Sequence, residues 1–252
     1  GYYMGTGSAS QHLRSMVDDA DVIVAIGNRT NQNGTDSWQL LPSGTQLIHI
    51  DIDPQEIGRN HEALRLAGDA RATIDALIDH LRRGDLGRRE ETRAAVEARI
   101  AEGKAKHQVE VADIRQSSAT PIRPERLMAD LEAVLTPEHI VCADASYSSI
   151  WVCNGLKSRR AGQRFLTPRG MAGLGWGLPM AMGAKIARPD APVFCLAGDG
   201  GFAHVWSELE SARRLGTHIV LVVLNNEILG YQKHAELARY GAHTDAIAFK
   251  PV

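Results

Sequence analysis

The chain has 252 residues, of which 44% are hydrophobic and 23% charged, and its formal net charge is −2. That balance suits one large globular domain or two modest ones and excludes an intrinsically disordered chain. It gives no basic footprint for nucleic acid or an anionic membrane, and no apolar run approaches the roughly 20 residues that span a bilayer. The opening stretch has neither the charged nor the apolar part of a secretory signal. The three cysteines (Cys142, Cys153, Cys195) lack CxxC spacing, and two sit in apolar runs, so they read as buried thiols of a cytoplasmic protein.

Helix and strand alternate from the start. Ser8 opens a polar helix with Leu13, Met16 and Val17 on its apolar face. Residues 21–27 read as a short buried strand stopped by Gly27, and an Asn- and Gly-rich loop follows over 28–36. A strand at 47–52 holds His49 as a satisfied interior residue, and a helix at 70–83 carries Ile74, Leu77, Ile78 and Leu81. Residues 84–116 turn polar, with opposite charges at helix-neighbour spacing, which predicts an exposed helical connector. A second series then begins: a helix at 126–135, a strand at 140–144, a polar turn at 146–149 and a Gly-rich run at 170–183. It continues with a strand at 193–197, a helix at 205–215 and a strand at 219–224. Apolar strands separated by helices predict an α/β fold of two doubly wound parallel-sheet segments.

The densest chemical signal is Gly198-Asp199-Gly200-Gly201-Phe202, directly after a buried strand and before a helix. Such a turn offers backbone N–H groups and the helix dipole to an anion, although many turns of this kind are only tight turns. The next strand runs into Leu224-Asn225-Asn226, and Asn226 lies 27 residues after Asp199. Taken singly, Asp199 reads as a helix cap and the Asn pair as a turn. Taken jointly, two successive parallel strands deliver a carboxylate and an amide oxygen to one carboxyl edge of the sheet, where open α/β folds bind ligands. Such hard oxygen donors, with a backbone carbonyl and phosphate oxygens, suit Mg²⁺.

These residues resemble the thiamine diphosphate-dependent enzymes, whose signature is GDG followed at this interval by NN. The strings DADVIVAIGNR and HIDIDPQEIGRN are similar to the acetolactate (acetohydroxyacid) synthase and benzoylformate decarboxylase group. The resemblance implies that 1–84 is the second half of a Rossmann-like central domain and 85–119 a charged helical linker. It makes 120–252 a thiamine diphosphate-binding domain that stops short of its C-terminal end. It implies Asp199, Asn226 and the Ile228 carbonyl as Mg²⁺ ligands, with Gly198, Gly200 and Gly201 at the diphosphate. Tyr147, Ser148 and Ser149 would face it from the neighbouring strand end, and Leu229, Gly230 and Tyr231 would complete the cofactor segment. Leu174, beside Gly173, would prop the cofactor in its bent shape, and the Ala172 carbonyl would hold its 4′-amino group; these two are the catalytic candidates.

The implied reaction is decarboxylation of a small 2-oxo acid, after which the enamine is joined to an acceptor carbonyl. Tyr147-Ser148-Ser149 stands where synthases carry a Gln-His-Gln type stretch, and Leu174 where they carry Met. Leu174 leans towards benzoylformate decarboxylase-like or carboligase relatives, so a decarboxylase that protonates the enamine is the alternative. A non-catalytic nucleotide-binding module is the alternative of another class. FAD is a further possible ligand of the central domain, though Gly27-Asn28-Arg29 is not a GxGxxG pattern. The resemblance also implies a homodimer or homotetramer and a pyrimidine-binding (PYR-type) domain, from the same protein or a neighbouring subunit, that brings the activating Glu. Glu208 and Glu210 follow the GDG turn and read as solvated or capping residues. His204, Trp206, Tyr231 and His234 read equally as pocket-lining or as ordinary packing.

Overall fold

Runs of Val, Ile and Leu between helices build parallel sheets, and the computed structural model shows two of them, in separate units Gly1–Asp113 and Ile114–Val252. The structure describes residues 11–32, 34–168 and 170–249. Ser8 and the start of its helix lie outside the described residues.

In the first unit, helix α1 (Gln11–Asp18) leads to strand β1 (Val22–Ile26), and β2 (Gln46–Asp51) and β3 (Leu64–Ala67) follow. All pair in parallel, in the order β1-β2-β3. The reading of 21–27 as buried is corrected: Val22, Val24 and Ile26 are 42–43% exposed, and as alternate residues they share one face of β1, while Ile23 and Ala25 on the other face are half-buried. Strand β3 was not legible, since four residues with Arg65 in their midst carry too little periodicity. His49 is fully buried; its Nε2 donates to the Asn28 carbonyl at 2.8 Å and its Nδ1 accepts the Gly58 N–H at 3.2 Å. Helix α2 (Ala70–Leu81) starts where Asp69 accepts the Ala72 N–H at 2.9 Å, a side-chain cap. Helix α3 (Gly87–Arg115) is one continuous 29-residue helix. Its charges pair one turn apart, Arg93 with Glu97 at 2.8 Å and Glu102 with Lys106 at 2.7 Å.

The second unit holds α4 (Pro124–Val134), β4 (Ile140–Ala143), α5 (Tyr147–Gly155), β5 (Phe165–Leu166), α6 (Gly177–Ala187) and β6 (Val193–Gly198). Then come α7 (Asp199–Ala203), α8 (Glu208–Arg214), β7 (Val220–Leu224), α9 (Gly230–Tyr240) and a 3-10 turn at Asp245–Ile247. Two expectations are corrected here. The polar turn at 146–149 is the N-cap and first turn of α5, and the helix expected over 205–215 begins at Glu208; the second half of the Gly-rich run forms helix α6.

The sheet is parallel in the order β5-β4-β6-β7, and side-chain alternation divides its faces. Val141, Ala143 and Leu196 pack with Met128 and Leu131 of α4 and Val152 of α5 on one face. Ile140, Cys142, Val193 and Cys195 pack with Ala181 of α6 on the other, and α6 also holds Ala212 of α8. The chain therefore leaves β4 for one face and the adjacent β6 for the opposite face. The crevice at the carboxyl ends of β4 and β6 is thus a topological switch point, where open α/β sheets take ligands. No described helix is long and apolar enough to cross a membrane.

Candidate functional site

Four segments meet at the carboxyl edge of the second sheet: Asp144–Ser146 after β4, the loop before α6, Gly198–Gly201 after β6, and Asn225–Leu229 after β7. The strand ends of β6 and β7 are joined directly. Asp199 Oδ2 accepts the Glu227 N–H at 2.7 Å, while its Oδ1 accepts the Gly200 N–H at 2.8 Å. Asn225 Oδ1 reaches the same Glu227 N–H at 3.3 Å, and Asn226 Oδ1 reaches the Ile228 N–H at 3.3 Å. These last two are long, weak bonds that leave the amide oxygens most of their accepting capacity.

The segment after β7 is held from outside by a short return of the chain. Leu229 N–H donates to the Ile247 carbonyl at 2.9 Å and Phe249 N–H to the Glu227 carbonyl at 2.8 Å, around an Ile228–Ala248 bridge. That pattern leaves the Ile228 carbonyl without a backbone donor among the described residues. Leu229 and Phe249 close over the GDG turn; a Cβ on Gly200 would come within 2.8 Å of one and 2.9 Å of the other. Glycine there lets both side chains pack against the turn without shifting.

The β4 side contributes two further contacts. Ser148 is buried and its hydroxyl lies 3.8 Å from where a Cβ of Gly198 would stand. A Cβ on Gly230 would meet the Tyr147 ring at 3.2 Å and Asn226 Nδ2 at 3.0 Å, so Tyr147 borders the Asn226 segment. The Tyr147 hydroxyl is hydrogen-bonded to His234 Nδ1, and its ring meets that of Tyr231 edge-on at 5.8 Å. Burial, and secondarily Tyr231, push the Tyr147 phenol above its usual pKa. Ser149 turns inward, its hydroxyl donating to the Ser146 carbonyl at 2.9 Å.

Backbone strain collects at this edge. Ser146 (φ 69°), Ala172 (φ 53°) and Glu227 (φ 56°) are the non-glycine residues in left-handed conformation among the described residues of the second unit. Each such residue costs roughly 1–3 kcal/mol and persists where the surroundings over-determine it, which is common at functional sites. One lies in each of three converging segments. Ala172 and Leu174 are exposed on the loop that leads into α6, and Gly173 is half-buried between them. This loop is tied down by a residue the sequence reading passed over. Asp144 is 1% exposed, and its carboxylate accepts four backbone N–H groups: Ala145 at 2.9 Å, Gly175 at 3.0 Å, Trp176 at 3.0 Å and Gly177 at 3.2 Å. The signal in the sequence is slight, an Asp at the end of a wholly apolar strand.

The structure thus brings Tyr147, Ser148, Gly198, Asp199, Gly200, Asn226, Ile228, Leu229 and Gly230 into one neighbourhood. Glu208 and Glu210 lie in the first turn of α8, away from these strand ends in sequence, and Glu210 pairs with Arg214 at 3.2 Å. The donor set fits a hard divalent cation beside an anion: a half-buried carboxylate, an amide oxygen and an unclaimed carbonyl next to a glycine turn.

The doubly wound sheet and its switch-point edge define an α/β protein built to hold an anionic ligand between strand ends. Residues 144–252 match the thiamine pyrophosphate enzyme C-terminal TPP binding domain, and residues 1–77 match the central domain of the same enzymes. The chain belongs to the thiamine pyrophosphate enzymes. It is similar to a protein named "Probable acetolactate synthase large subunit" of Methanococcus aeolicus, with 27% identity over 246 residues, 92% of this chain and 40% of that protein. The protein of the same name from Methanocaldococcus jannaschii is 31% identical over 232 residues, 89% of this chain and 38% of that one. A protein named "Probable 2-ketoarginine decarboxylase" of Pseudomonas aeruginosa is 33% identical over 222 residues, 85% and 36%. The chain therefore spans well under half the length of these relatives.

Proposed function

We propose that this chain carries the metal and diphosphate half of a thiamine diphosphate- and Mg²⁺-dependent enzyme that decarboxylates a 2-oxo acid and joins the product to an acceptor carbonyl, as an acetolactate synthase does. The observation that carries the reading is the 2.7 Å bond from Glu227 N–H to Asp199, which locks the Asp and Asn strand ends together at the switch point. Bound thiamine diphosphate supplies a nucleophilic carbon and an electron sink for the decarboxylation. The residues of this chain bind and orient it. Asp199, the Asn226 side-chain oxygen and the Ile228 carbonyl hold Mg²⁺, and the Gly200–Gly201 turn faces the diphosphate. Leu174 would shape the bound cofactor, and the Ala172 carbonyl would accept from its amino group.

Apolar side chains at the rim support a further covering domain: Met171 is 97%, Trp206 70% and Trp176 60% exposed. Large apolar side chains left this exposed favour an interaction surface. We assign that surface to a PYR-type domain, from the same protein or from a neighbouring copy in a homodimer or homotetramer. The proposal leaves FAD out. The strand-end sequence Gly27-Asn28-Arg29 is not a GxGxxG pattern, and the backbone of Thr30 is held by Asn28, which accepts its N–H at 2.7 Å, and by Asn60, which donates to its carbonyl at 3.0 Å. An absorption spectrum of the purified protein checks this.

The test is calorimetry of thiamine diphosphate binding to the full-length protein with and without Mg²⁺. Asp199→Ala is expected to lower the affinity by at least about 100-fold and to remove its Mg²⁺ dependence. Unchanged binding in that variant overturns the proposal. A simple decarboxylase is the second reading, favoured by Leu174 and by the likeness to the protein named a 2-ketoarginine decarboxylase. Product analysis with pyruvate and with cationic and aromatic 2-oxo acids separates the two: acetolactate supports the first, an aldehyde alone the second.

A further inference from the structure

We infer that Asp144 is a positioning residue that sets the spacing between the two halves of the cofactor site, an inference that rests on the thiamine diphosphate reading above. The carboxylate is 1% exposed and faces four backbone N–H groups, about as many as its lone pairs can accept. Three of them, Gly175, Trp176 and Gly177, belong to the segment that enters α6, and Trp176, the N-cap of that helix, makes no side-chain cap of its own. Asp144 thus caps α6 from a different strand. Its negative charge suits the free N–H groups and positive dipole end of this helix.

The other side of the same carboxylate meets the GDG turn. A Cβ on Gly201 would stand 2.1 Å from Asp144 Oδ2, so the carboxylate occupies the room that any other residue at 201 would need. One buried side chain therefore contacts both the loop that carries Ala172 and Leu174 and the turn that carries Asp199 and Gly200. The loop also packs directly on the turn, since a Cβ on Gly175 would stand 3.5 Å from the Gly201 carbonyl and 3.0 Å from His204 Cβ, and Asp144 adds the hydrogen bonds that hold the loop at that distance. Asn at 144 keeps the shape but turns an amino group towards N–H donors, which leaves at least one of them unpaired. Asp144 is 1% exposed, so its effect reaches the cofactor only through the loop and the turn that it contacts.

Amide hydrogen exchange on the full-length protein tests this. In the wild type, the Gly175, Trp176 and Gly177 amides are expected to exchange at least 10-fold more slowly than those of Ala172–Leu174 in the same loop; equal rates overturn the clamp. In Asp144→Asn, those three amides are expected to speed up at least 10-fold while strands Ile140–Ala143 and Val193–Gly198 keep their protection. With substrate, kcat is expected to fall at least 10-fold, with KM within about 3-fold, because small misplacements around reacting groups cost rate rather than binding. A uniform loss of protection across the sheet, or wild-type kcat with loosened amides, overturns the positioning role. Should Asp144→Asn fail to fold, Asp144→Ser keeps one acceptor oxygen and is read the same way. Failure of the underlying reading looks different: the wild type then binds no thiamine diphosphate with Mg²⁺, yet its Gly175–Gly177 amides stay slow.

Discussion

At the residue scale, the chemistry of single side chains follows from where the strands place them. Cys142 and Cys195 are register partners on β4 and β6 and both are fully buried. Burial pushes each thiol from an ordinary value of 9.0 up to about 12. A native thiol that holds its proton longer than the unfolded one makes stability complete below pH 9 and lets it fall as pH rises from there towards about 12. Unfolding in urea at stepped alkaline pH is expected to show that decline, and a Cys142→Ala variant a shallower one. Exposed Cys153 is expected to react with a thiol reagent at pH 8 in the native protein, and the other two only after unfolding. Asp199 and Asn226 were legible as a pair because their spacing matched two consecutive strand ends. Asp144 was not, because its four donors lie at its own strand end and in the loop entering α6, 31 to 33 residues on.

At the element scale, strain and capping explain where the sequence reading of helices went astray. Residues 146–149 look like a turn, since Ser competes with helix by bonding the nearby backbone. They start α5 because Ser146 adopts φ 69°, ψ −145° as its N-cap and accepts both the Ser149 hydroxyl and the Ile150 N–H. That conformation suits glycine. Ser146→Gly is expected to raise stability by about 1 kcal/mol, read as a higher urea midpoint; a lower midpoint means the Ser side chain holds the turn. Helix α6 was hidden for the opposite reason. A run of glycines predicts loop by propensity, yet Gly177 begins a helix because its N–H is taken by Asp144 and Leu178, Ala181 and Met182 are buried beneath it.

At the scale of the whole molecule, packing on both faces of the second sheet defines the switch point. Leu196 is fully buried at the centre of the face that α4 and α5 cover. Leu196→Ala is expected to cost about 3 kcal/mol, measured by urea unfolding, since the surrounding side chains cannot collapse into the space. A cost under 1 kcal/mol means that this face is loosely packed.

The sequence by itself determined the parallel α/β architecture, through wholly apolar strands separated by helices. It also determined the metal and diphosphate candidates, through a GDG and an NN at consecutive strand ends. Those signals are local or evenly spaced, so they survive without coordinates. Only the tertiary structure decided the strand order β5-β4-β6-β7, the opposite departures from β4 and β6, and the place of Asp144 between the loop and the GDG turn. The physical reason is that these depend on which buried faces meet and which distant amides a desolvated carboxylate must find, and no stretch of neighbouring residues encodes that alone.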